Sequence, residues 1–119
     1  MYDHVGLRVN DLDASVRFYT AVLAPLGSVL CAKDETSVGF GPKGAPALWL
    51  HLNRDEQHGG AHVAFHAPDR AAVNKFHSEG LKAGGSDNGA AGPRPDYSPT
   101  YYAAFLIDPD GNNVEAVCV

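Results

Sequence analysis

The spacing of apolar positions changes several times along this chain, and each change predicts an element. From Tyr2 to Val9 the pattern alternates loosely and is rich in Val and Leu, which reads as a strand. Asn10-Asp11 then offers a helix cap. Leu12, Val16, Tyr19, Val22, Leu23 and Leu26 recur at helical spacing, and Pro25 and Gly27 stop the helix. Ser28 to Ala32, Thr36 to Gly41 and Ala47 to Leu52 read as three short strands. They are separated by the polar turn Lys33-Asp34-Glu35 and by a Gly- and Pro-rich loop at 41–46. Asn53 to Gly60 is a polar connection. Ala61 to Ala67 is again a strand, and Pro68-Asp69 opens a helix to about Ala83, with Val73, Phe76 and Leu81 on its apolar side. Gly89 to Pro99 carries Pro93, Pro95 and Pro99 and reads as a loop. Tyr101 to Ile107 and Asn113 to Cys118 are strands joined by a hairpin turn, Asp108-Pro109-Asp110-Gly111.

The second half repeats the first. A shift of 58 residues carries His4 onto His62, Val5 onto Val63, Asp11 onto Asp69 and Phe18 onto Phe76. The expected architecture is therefore α+β: two copies of a strand–helix–strand–strand–strand unit. Module one covers 1–52, a connection 53–60 and module two 61–119, within a single domain 1–119.

Composition narrows the function. At 119 residues the chain is one domain by size, and 45% apolar with 19% charged residues is an ordinary globular balance. Nine basic against fourteen acidic residues give a formal charge of −5. That argues against a nucleic-acid partner, which a basic face would serve. No apolar run approaches the ~20 residues of a membrane span. The opening MYDHVGLRVNDLD has no basic and apolar leader, and Cys31 and Cys118 imply no disulfide framework. A cytoplasmic protein with reduced thiols is expected, Cys31 buried and structural.

Six histidines stand out: His4, His51, His58, His62, His66 and His77. Side chains two apart on a strand share a face. His4, Gly6 and Arg8 thus share one, as do Ala47, Trp49 and His51; His62, Ala64 and His66; and Asn113, Glu115 and Val117. If the two units pair through their sheets, His4, His51, His62 and Glu115 converge from four strands. Three imidazoles and a carboxylate suit a divalent transition metal, and two histidines with one carboxylate would leave coordination positions open. Glu115 lies on an apolar strand, where an unpaired carboxylate is expensive, so it needs a metal or an arginine beside it, or solvent. Arg8 is placed to pair with Glu115 or to bind an anionic substrate. Trp49, His66 and Tyr101 are candidate pocket-lining residues, though strand aromatics are commonly core. His58 and His77 read as solvated.

The segments DHVGLRVNDLDASVRFYTAVLAPLG, HVAFHAPDRAAVNKFHSEG and YYAAFLIDPDGNNVEAV resemble the vicinal oxygen chelate superfamily, which includes glyoxalase I, bleomycin-resistance proteins, fosfomycin-resistance enzymes and extradiol dioxygenases. The similarity spans nearly the whole chain, with SVRFYTAVLAPLG and DPDGNNVE the most specific pieces. It implies two βαβββ modules forming a curved mixed sheet around a cleft. It also implies a metal held by His4, His51, His62 and Glu115, where a histidine at 51 departs from the acidic or amide ligand typical of glyoxalase I. The expected function is a glyoxalase-like lyase or isomerase using zinc, nickel, manganese or iron. Its small-molecule substrate would chelate the metal through adjacent oxygens, with Glu115 and His51 as candidate bases. A metal-free, bleomycin-resistance-like binder and an Fe(II) extradiol-type dioxygenase are the alternatives. The resemblance further implies a homodimer, in which some relatives complete the site across subunits. The short 53–60 connection instead suggests pairing of modules within one chain.

Overall fold

A computed structural model describes residues 1–54 and 59–119. Its strands and helices follow the order βαββββαβββ, which is two βαβββ modules. In module one, β1 (Val5–Val9), β2 (Val29–Lys33), β3 (Ser37–Gly41) and β4 (Leu48–Leu52) form a four-stranded sheet in the order β1-β4-β3-β2. In module two, β5 (His62–His66), β6 (Ser86–Pro93), β7 (Tyr102–Ile107) and β8 (Asn113–Cys118) repeat that order as β5-β8-β7-β6. The first and last strands of each module pair in parallel; the other pairings are antiparallel. The two sheets are not hydrogen-bonded into one.

The 58-residue repeat is a repeat of local physics. Asp11 caps α1 (Leu12–Leu23) by accepting from the Ala14 N–H at 3.1 Å, and Asp69 caps α2 (Arg70–Lys82) by accepting from the Ala72 N–H at 2.8 Å. Phe18 and Phe76, one on each helix, are wholly buried. The first helix ends one turn earlier than its apolar spacing predicts. Pro25 stands in a 3-10 turn, Ala24–Leu26, and Gly27 closes it with φ +88°.

One core serves both modules. The helices pack on each other, and Leu50, Val38 and Phe40 from the first sheet share a cluster with Leu106, Val114 and Ala116 from the second. Gly80 marks the tightest point of this packing. A Cβ there would lie 2.3 Å from Leu106 and 2.8 Å from Val22. The turn between β7 and β8 clasps α1. Asp108 accepts a 2.5 Å hydrogen bond from the Tyr19 hydroxyl, while Asp110 accepts from the Asn10 N–H at 2.8 Å and from the Ser15 hydroxyl. Burial, with the Asp108 charge adding to it, holds the Tyr19 phenol well above its ordinary pKa.

Three expectations need correction. The segment read as a loop from Gly89 begins inside strand β6, whose sequence SDNGAAGP has no alternation to betray it. Pairing with β7 across two bulges makes it a strand, and Gly89 supplies φ +148° at the irregular part. His77 is not solvated: its side chain is largely buried, and Nε2 meets Asp87 of β6 at 2.9 Å. That contact and the Gly89 N–H hold the Asp87 carboxyl below its usual range, the N–H contributing more. Cys31 is only half-buried. His58 lies outside the described residues. Among the described residues no helix is long and apolar enough to cross a membrane.

Candidate active site

Each strand turns alternate residues to the helices, and the opposite faces carry the candidate chemistry. In module two, Glu115 stands on β8 between buried Val114 and Ala116 but points away from them. It is 3% exposed, a carboxylate on a sheet face with almost no contact with water. Its partners explain how it is tolerated. The Tyr101 hydroxyl donates to Oε2, and His62 Nε2 lies 3.1 Å from Oε1. The bond to Glu115 pushes the Tyr101 phenol up to about 12.

His62 itself is fixed from behind. Its Nδ1 is 3.1 Å from the Asn113 carbonyl oxygen, and its ring stacks on Phe105 at 6.4 Å. A carbonyl only accepts, so Nδ1 carries the hydrogen. In the neutral ring Nε2 is then an unprotonated acceptor facing a carboxylate oxygen. Nε2 and Oε1 are turned toward one another at 3.1 Å, both potential ligand atoms. Either a proton on Nε2 or a metal ion would bridge them. The Asn113 side-chain oxygen, on the same sheet face, is buried without a hydrogen-bond partner among the described residues.

Module one carries the other two candidates. His51 stands on β4 between Arg8 of β1 and Ser37 of β3, and its Nδ1 lies 3.0 Å from the Ser37 hydroxyl. Trp49 stacks on His51 at 6.4 Å, its indole lying over Gly39, where a Cβ would come within 2.9 Å. His4 precedes β1 rather than lying within it, and its Nδ1 is 2.6 Å from the Asp3 carboxylate. That leaves Nε2 of His4 available.

The four candidates thus fall into two halves within one chain. His62 and Glu115 meet directly; His4 and His51 belong to the other sheet. No group of three or more His, Cys, Asp or Glu close enough to hold a metal forms among the described residues. A cavity of about 240 Å³ between Tyr2–Val5 and Val63–Phe65 takes in His4 but none of the other three. Glu115 forms its ion pair with His62 and not with Arg8. His66 is exposed on β5, on the His62 face. Sequence reasoning missed Ser37, Asp3 and the Asn113 carbonyl, the groups that orient the imidazoles. Of these, only Asn113 was placed by the spacing, on the face of Glu115.

The family model described as "Glyoxalase/Bleomycin resistance protein/Dioxygenase superfamily" matches residues 2–116. A "Probable lactoylglutathione lyase" from Vibrio parahaemolyticus is 31% identical over 96% of this chain and 87% of the relative. A crystal structure of a glyoxalase/bleomycin resistance protein from Albidiferax ferrireducens superposes with TM-score 0.84 and 29% identity, over 98% of this chain and 97% of that one. A glyoxalase I mutant from Zea mays gives TM-score 0.74 at 27% identity, over 96% of this chain but 45% of the maize chain.

Proposed function

The chain belongs to the glyoxalase/bleomycin resistance protein/dioxygenase superfamily, and we propose from that membership and from the two half-sites that it is a metal-dependent, glyoxalase-like enzyme. One observation carries the reading: His62 Nε2 lies 3.1 Å from the buried carboxylate of Glu115 while Nδ1 is turned to the Asn113 carbonyl, so an imidazole nitrogen and a carboxylate oxygen face the same point. The donor set, imidazole nitrogen and carboxylate oxygen, suits zinc, nickel, manganese or ferrous iron. His62 and Glu115 would hold one side of the ion. His4 and His51 would hold the other, supplied by the first module of a second copy, a reading supported by the lack of any group of three or more potential ligands among the described residues of one chain. Homodimerisation is part of the proposal.

A bound divalent ion would supply Lewis acidity to a substrate offering two adjacent oxygens. The chain's own residues do the rest. Asp3, Ser37 and the Asn113 carbonyl orient His4, His51 and His62. Tyr101 holds Glu115 by one oxygen, leaving the other to the His62 side. Glu115 is the proposed base that moves a proton on the substrate carbon, and His51 the second candidate. Trp49, stacked on His51, would wall the substrate space on that side.

The test is activity with purified protein loaded in turn with each metal. Isomerisation of a thiol–2-oxoaldehyde adduct supports the lyase reading. Oxygen uptake with catechols on ferrous loading alone would replace it with the dioxygenase reading.

A further inference from the structure

Arg94 follows β6 and folds back over the sheet face that carries Glu115. Its guanidinium lies 5.4 Å from the centre of the Phe105 ring, and that ring stacks on His62 at 6.4 Å. Phe105 is also the register partner of Glu115, so the cation, the carboxylate and the imidazole share one face. The arginine is held by backbone alone: Nη1 donates to the Gly92 carbonyl at 3.0 Å and Nη2 to the Ala90 carbonyl at 2.7 Å. Its own N–H donates to the Tyr101 carbonyl at 2.8 Å, which sets it opposite the residue that grips Glu115. Glycines make the room. A Cβ at Gly89 would come 3.3 Å from Nη2, and one at Gly92 would come 3.4 Å from Nη1.

This cation has no carboxylate within ion-pair distance among the described residues. Three carbonyls orient it without neutralising it, and its Nε–H and one N–H of Nη2 keep donor capacity. In a chain of net charge −5 it is a local positive point on the sheet face that carries Glu115. A planar guanidinium so fixed matches a carboxylate through paired hydrogen bonds. We infer that Arg94 binds a carboxylate of the substrate, so that the site takes a small acid whose two adjacent oxygens reach the His62–Glu115 end while its anionic group meets the guanidinium of Arg94. The inference rests on the metal-chelating reading above and narrows its substrate class to carboxylates.

Calorimetric titration of zinc-loaded protein with two hydroxamates tests it. Pentanohydroxamate and glutarate monohydroxamate share a head with adjacent oxygens and differ in a neutral or carboxylate tail. The expected result is about tenfold tighter binding of the acid by the wild type. Arg94→Gln abolishes that preference, Arg94→Lys keeps part of it, and affinity for the neutral probe is unchanged in both. Loss of affinity for both probes in Arg94→Gln would mark a structural role and overturn the inference. Equal affinities in the wild type, or loss of the preference in Arg8→Gln instead, overturn it while leaving the metal reading intact. No binding of either probe by the wild type overturns the metal reading and this inference together.

Discussion

The hydroxyl of Tyr19, on the first helix, donates at 2.5 Å to Asp108 in the last turn of the chain, so one buried hydrogen bond ties the two modules together. Asp108 also accepts from the Asn112 and Asp110 N–H groups, at 2.9 Å each, which makes the turn rigid before it meets the helix. Tyr19→Phe removes the donor and is expected to cost about 1–3 kcal/mol in urea unfolding. The pH dependence follows from the raised phenol. Unfolded, it ionises near 10; folded, it stays protonated above that. Its contribution is therefore complete below pH 10 and is lost as pH rises further, by about 1.4 kcal/mol per pH unit. Tyr19→Phe should lack this part of the alkaline slope; an identical slope in the variant would refute the assignment.

Gly80 sets helix propensity against packing. Alanine in a helix interior gains about 1 kcal/mol over glycine. Here its methyl would press on Leu106 and Val22, both wholly buried. Overpacking of a dense core costs about 1–3 kcal/mol, so Gly80→Ala should lower stability on balance. A higher urea midpoint for the variant would contradict the close helix contact.

Tyr101→Phe removes the hydroxyl that holds Glu115. Because Glu115 is 3% exposed and loses a donor, the fold should lose about 1–3 kcal/mol in urea unfolding. Metal affinity, read by competition with a chelator, should fall roughly 10–100-fold. Unchanged affinity would leave Tyr101 as lining only.

Trp49 is the chain's only tryptophan and stacks on His51, so its fluorescence reports on that half of the site. Metal titration should change the emission in the wild type and leave it unmoved in His51→Ala. Gly39→Ala, whose methyl would meet the indole, should shift the emission before any metal is added. Identical metal responses in wild type and His51→Ala would remove His51 from the proposed ligands.

Much of this was legible in the chain because the physics is local. Asp11 and Asp69 cap helices by contacts three residues away, and Phe18 and Phe76 follow from helical spacing, so the repeat survives divergence between the modules. Period-2 alternation and the repeat placed His62 and Glu115 among the converging candidates, but their direct contact was not readable, and Arg8 was offered as the partner of Glu115. Strand β6 was not readable, because glycine and alanine carry no alternation and only the partner β7 makes a strand of them. Arg94 was missed for a related reason: its contacts are to backbone carbonyls and to a ring eleven residues on, which no side-chain pattern records. The expected convergence of four ligands also outran the sequence. Alternation says which face a residue occupies, but not how one module's sheet lies against the other's.

Metal content of untagged protein by mass spectrometry, beside His62→Ala and Glu115→Gln, decides whether the pair is a metal half-site. Near-stoichiometric divalent metal is expected in the wild type and its loss in both variants, with each variant still folded by circular dichroism. Wild-type protein that holds no metal after reconstitution with zinc, nickel, manganese and ferrous iron would contradict the metal reading. The His62–Glu115 pair would then be bridged by a proton, and the chain would be a metal-free binder.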